Sequence, residues 1–162
     1  MQKINEKRHI WEPRGNSVHK AFQNFWETGT PGDPGKYEKW ITPLVNFLDG
    51  WADYRAVAVE YSMVDPRYNI AGQLDVLLVS RRGDFILVDL KTLEEGGRIR
   101  NISAQLGGYL NLLEVNFPGI EVARCAGLWS WPGKTELKIC EPDDCRETYL
   151  SMRKAYNQKN TW

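Results

Sequence analysis

Nothing in this sequence is plentiful enough to decide its class by composition. Lys and Arg number 21 and Asp and Glu number 21, a formal net charge of +0. There is therefore no diffuse basic field, and any contact with nucleic acid has to come from a local cluster. No apolar run approaches the roughly 18 residues of a membrane span. The start, MQKINEKRHIWEP, lacks the apolar core of a signal peptide. A cytoplasmic protein is expected (in the host cytoplasm if the chain is viral), with no membrane partner. Cysteine is scarce: Cys125, Cys140 and Cys145 form no Cys-x-x-Cys pair, and His9 and His19 are the only histidines. That pattern argues against a zinc site and for buried free thiols.

What is present is an ordinary globular balance, 42% hydrophobic and 26% charged over 162 residues, with seven Trp. One domain with a substantial core is expected. Residues 1–14 read as a loose arm and 15–162 as the single domain. GNSVHKAFQNFWETG reads as a helix, with Asn16 or Ser17 as cap and Val18, Phe22, Phe25 and Trp26 as its apolar stripe. TPGDPG breaks the chain. KYEKWITPLVNFLDGW reads as a second helix with Trp40, Leu44, Phe47, Leu48 and Trp51 inward and Pro43 near its first turn.

The periodicity then changes. YRAVAVEYSMV, YNIAGQLDVLLVSR and GDFILVDLKT read as strands joined by turns at DPRY and RRGD. SAQLGGYLNLLEVNF is helical again, VARCAGLWSW and TELKICE are strands, and DDCRETYLSMRKAYNQ closes the chain as a helix. The expected class is α/β (α+β), a central mixed sheet flanked by helices in the order αα-βββ-α-ββ-α.

Within FILVDLKT, Asp89 and Lys91 lie two residues apart and so share one strand face. The preceding strand carries its own acid, Asp75, in IAGQLDVLLV. An antiparallel register about RRGD brings Asp75 and Asp89 nearly opposite each other. Two carboxylates within about 5 Å repel unless a cation lies between them. Oxygen ligands suit Mg²⁺ or Mn²⁺, and the carbonyl of Leu90 can add another. Lys91 alongside can steady developing negative charge, an arrangement suited to phosphodiester hydrolysis by an activated water.

GQLD, DLK and QLGGY, in that order, resemble the RecB-type exonuclease branch of the PD-(D/E)XK nuclease superfamily. The motifs run from Gly72 to Asp75, Asp89 to Lys91 and Gln105 to Tyr109, and the likeness spans about residues 15 to 140. The compact members of that branch are recombination exonucleases of phages and the mitochondrial genome-maintenance exonuclease. The resemblance implies a restriction-endonuclease-like core and a first-helix histidine, His19, completing a metal shell with Asp75, Asp89 and the Leu90 carbonyl. It implies catalytic roles for Asp75, Asp89 and Lys91. It also brings the face shared by Gln105 and Tyr109 to the site, to orient Lys91 or a phosphate and to stack on a base.

Arg98 and Arg100, in EEGGRIRN, fit a phosphate-contacting loop, whereas Arg81 and Arg82 fit a solvated turn. Glu60 is either a further acid at the rim or a surface charge. Iron–sulfur members use four cysteines, one of them upstream of the core; this chain has none upstream and a different spacing after it, so no iron–sulfur cluster is expected. The implied activity is a Mg²⁺- or Mn²⁺-dependent deoxyribonuclease, an exonuclease on DNA ends or single strands in recombination, repair or replication, with or without a partner protein of those processes. The alternatives are a structure-specific or restriction-type endonuclease and an inactive DNA-binding or assembly subunit.

Overall fold

The computed structural model describes residues 7–159. Helix α1 spans Arg8–Thr28 and ends on Gly29, whose φ of +79° and amide bond back to Phe25 form a left-handed cap. It begins earlier than the sequence suggests, because Pro13 is carried inside the helix and does not start or stop it. Ser17 is not a cap; its Oγ donates to the Pro13 carbonyl, 2.9 Å away. The arm expected over 1–14 is thus helical from Arg8, and its first six residues lie outside the described part.

A 3₁₀ turn, Gly35–Tyr37, leads into α2, Glu38–Leu48, and a second 3₁₀ turn, Asp49–Trp51, follows it. Pro43 lies inside α2 and cannot donate to the Lys39 carbonyl. That carbonyl instead accepts from the Gly133 N–H at 2.7 Å, so the helix defect becomes a tie to the sheet.

Five strands follow: β1 Tyr54–Asp65, β2 Ile70–Ser80, β3 Phe85–Thr92, β4 Val122–Trp131 and β5 Lys134–Cys140. Helix α3, Ser103–Asn116, connects β3 to β4, and α4, Pro142–Lys159, ends the described chain. The sheet order is β1-β2-β3-β4-β5. The β3–β4 step is parallel, as a helical crossover requires, and the other three are antiparallel. The chain is therefore a mixed five-stranded sheet flanked by helices.

Both faces of the sheet are covered, which is why β2, β3 and β4 read as near-continuous apolar runs. On one face Val18, Phe22, Ile41, Leu44 and Leu48 of α1 and α2 pack on Val76, Leu78, Val88, Leu90, Ala126 and Leu128. On the other, Leu106, Leu110 and Leu113 of α3 pack with Leu74, Leu77, Leu87, Cys125 and Cys145. Helix α4 reaches α3 backbone to backbone, since a Cβ on Gly107 would run into the Cys145 carbonyl. Cys125 and Cys145 are buried free thiols, and Cys140 is half-buried. Burial pushes the Cys125 thiol far up and the Cys145 thiol up to about 11. No helix of the described residues is long and apolar enough to cross a membrane.

Candidate metal and catalytic site

The pairing of β2 with β3 runs from Val79↔Phe85 to Val76↔Val88. One step further that register sets Asp75 across from Asp89, the juxtaposition expected from sequence. There the ladder gives way to side chains: Leu90 donates its backbone N–H to Asp75 Oδ2 at 2.6 Å. Leu90 thus enters the site through its amide, while its side chain belongs to the core.

Alternation breaks at the same level. Val76 packs toward α1 and α2, yet Leu74, two residues away, packs toward α3. On β1, Val59 joins the first face and Met63, four residues on, the second. Strict alternation would keep each pair on one face. The switch on β1 falls at Glu60, whose φ of +45° is unusual for a residue with a side chain. Glu60 stands across from Asp75, between the Val59↔Val76 and Tyr61↔Leu74 pairs.

Helix α1 brings the third member. His19 Nδ1 lies 3.6 Å from Asp75 Oδ1 and 3.7 Å from Glu60 Oε1. One ligand atom from each of His19, Glu60 and Asp75 falls within 4.8 Å of the others. These separations exceed a hydrogen bond, and Glu60 Oε1 is buried without a hydrogen-bond partner. One imidazole nitrogen and two carboxylate oxygens gathered around unmet acceptor capacity fit a divalent cation. Sequence reasoning left Glu60 open between a further acid at the rim and a surface charge; the structure makes it a full member of this group. The left-handed backbone that places it there leaves no mark in a β-strand pattern.

Asp89 faces the other way. It is 1% exposed, with Oδ2 2.6 Å from Lys91 Nζ and Oδ1 accepting from Gln105 Nε2 at 3.0 Å. Gln105 Nε2 also reaches the Tyr109 hydroxyl at 2.8 Å. The face shared by Gln105 and Tyr109 therefore does meet the strand acids, with Gln105 on Asp89. Gly72 makes room for this contact: a Cβ there would press on Leu112 and the Tyr109 ring. On β4, Gly127 is in register with Asp89 and Trp129 with Lys91, and the Trp129 indole folds back over Gly127.

The electrostatics follow from burial. Desolvation pushes the Asp75 carboxyl up to about 7, with His19 opposing and Asp89 adding to the rise. Asp89 is raised for the same reason, against the pull of Lys91. Burial draws the His19 imidazole down, but Glu60, Asp75 and Asp89 more than reverse it and leave it above its ordinary value. Burial pushes the Tyr109 phenol up to about 12. A site that raises its own acids is one short of positive charge.

The two loop arginines are not drawn in. Arg98 and Arg100 are exposed and make no hydrogen bond or ion pair among the described residues. Arg81 pairs with Asp53 at 3.0 Å in an exposed turn. Arg14, assigned to the arm by sequence, is buried beside the end of β3.

Compared with protein-family models and with curated proteins, the chain finds no significant match.

Proposed function

We propose that this chain is a divalent-metal-dependent deoxyribonuclease on a restriction-endonuclease-like core, similar to the RecB-type branch of the PD-(D/E)XK superfamily. The observation that carries it is the convergence at one point of β1, β2, β3 and α1. There the His19–Glu60–Asp75 group adjoins an Asp89–Lys91 pair whose acid is buried. Bound there, Mg²⁺ or Mn²⁺ would supply Lewis acidity toward a phosphodiester oxygen and toward the attacking water.

The chain's own residues do the rest. Asp75, fixed by the Leu90 amide, faces His19 and Glu60 and holds the cation with them. Gln105 orients Asp89 at the border of that group. Lys91, three-tenths exposed at the strand end, can leave Asp89 to meet the charge that builds on a phosphoryl oxygen. Water adds across the phosphorus–oxygen bond, leaving a phosphate on one strand end and a hydroxyl on the other.

The described chain offers no sequence-reading module beside the site. Readers of base sequence commonly bury more than about 1,000 Å² of protein surface. Hydrolysis from free ends with little base preference is therefore the form of the activity proposed, in recombination, repair or replication of DNA. The test is one labelled single strand offered linear and as a covalently closed circle, with Mg²⁺, Mn²⁺ or EDTA. Loss of the linear form alone, in metal alone, is expected. Equal rates on both forms would replace the exonuclease with an endonuclease, and binding without cleavage in any metal would leave a DNA-binding subunit.

A further inference from the structure

Arg14 has no use in the site as described, yet its surroundings are unusual for an arginine. It is 6% exposed, and its guanidinium donates no hydrogen bond among the described residues. Nε is wholly buried with no partner. The nearest acid, Glu94, brings Oε1 only to 3.5 Å of Nη1 and is itself half exposed. The guanidinium lies over the Trp40 ring, 5.4 Å from its centroid, and the Trp40 indole is fixed by a 2.7 Å bond to the Leu93 carbonyl. Burying a cation is costly unless its donors are met, and a lone half-exposed carboxylate beyond hydrogen-bond length meets them poorly. A guanidinium lodged over an indole with its buried Nε unpartnered is suited to take an oxyanion by its fork.

Its place in the fold says which oxyanion. Gly15 brings α1 against Thr92, the residue after Lys91; a Cβ on Gly15 would lie 3.8 Å from Thr92 Oγ1. Along α1, Arg14 precedes His19 by five residues, about 7.5 Å of helix axis. Those five residues also turn the helix by about 140°, so Arg14 sits beside the site, next to Glu94 and Trp40 past the end of β3, and not on the His19 face. Resting on the nuclease reading above, we propose that Arg14 is a phosphate subsite for the strand next to the cleaved bond. Glu94 is its loose counter-charge: the carboxylate stands 3.5 Å from the guanidinium in the free protein and gives way to a backbone phosphate when DNA binds.

This makes the two partners of one ion pair act in opposite directions. Arg14→Met should weaken binding of a fluorescent oligothymidylate in EDTA by about tenfold, and flatten the slope of log K against log salt by ~0.7, the share of one phosphate on a single strand. Met fills the space, so folding should survive, as replacement of buried charge by apolar volume often allows; a melting curve checks this. Glu94→Gln should tighten binding about threefold or more by removing the competing charge.

A purely structural ion pair predicts the opposite for Glu94→Gln, a loss parallel to that of Arg14→Met, and that result would overturn the subsite. So would an unchanged salt slope in Arg14→Met. Inorganic phosphate separates this idea from the nuclease reading. Suppose wild type binds no oligonucleotide, yet phosphate raises the melting temperature of wild type and not of Arg14→Met. The subsite then stands and the nuclease reading falls. If phosphate stabilises neither protein and no oligonucleotide binds, both fall.

Discussion

Lys91 Nζ lies 2.6 Å from Asp89 Oδ2, so β3 neutralises its own buried acid with the base two residues further along. Asp75, across the strand pair, has the His19 imidazole 3.6 Å away in place of an ammonium, and burial together with nearby Asp89 pushes its carboxyl up. On the reading proposed above, Asp75 would be the acid that takes the metal, and Asp89 the acid that holds Lys91 until there is a phosphate to meet.

Lys91→Ala should lower DNA cleavage by about 100-fold or more, the usual weight of one group that stabilises transition-state charge. Oligonucleotide binding in EDTA should change little. Because Asp89 is 1% exposed, the variant should also lose metal-free stability at neutral pH and regain it on acidification. Turnover above about a tenth of wild type would remove Lys91 from the chemistry.

Asp75→Asn should abolish Mn²⁺ binding by calorimetry while raising the metal-free melting temperature at pH 8. An Asn oxygen can still accept the Leu90 amide, and the buried charge is gone. Undiminished Mn²⁺ affinity would refute the metal group.

The metal-free protein should lose stability as pH rises. Burial pushes the Asp75 carboxyl up to about 7, well above the 3.8 of an ordinary aspartate, so the folded state holds a proton that the unfolded chain releases earlier. Stability from that proton is complete below about pH 4 and is lost as pH climbs through 7. His19, also raised, has the same sign: its share is present below 6.5 and fades above that. Saturating Mg²⁺ or Mn²⁺, which takes the ionised site, should flatten or invert the trend. A metal-free melting temperature that rises between pH 5 and 8 would contradict the burial argument.

Gly107→Ala tests the α3–α4 contact. Ala favours a helix by up to about 1 kcal/mol over Gly, but its Cβ would run into the Cys145 carbonyl. Overpacking of this kind costs about 1–3 kcal/mol, so urea denaturation should show a net loss. Activity should fall with it, since Gln105 is two residues away on α3. A stabilised variant would mean that α4 does not dock at Gly107.

The strands, their turns and the neighbouring register of Asp75 and Asp89 were legible because apolar runs, turn residues and residue counts about RRGD are local signals. That Asp89 turns toward Gln105, outside the His19–Glu60–Asp75 group, was not legible. Glu60 was only half legible. Its role depends on a left-handed residue that turns one strand segment over, and alternation counted along the sequence cannot register it. Arg14 was hidden by Pro13, which reads as the end of an arm but lies within α1. The glycine pair of QLGGY read as part of a motif; in the fold Gly107 clears the way for α4 and Gly108 lies against the Tyr149 ring. Those contacts join residues about forty positions apart, beyond any periodic pattern.

Metal-dependent cleavage by this group of side chains is the central claim to test. The direct measurement is the rate at which an end-labelled linear DNA strand is consumed in Mn²⁺ by wild type, Asp75→Asn and Lys91→Ala, each confirmed folded by its melting curve. The predicted result is release of short products by wild type, none in EDTA, and at least a 100-fold loss in both variants. Wild-type DNA that stays intact in every metal, or variants that cut as fast as wild type, would contradict it.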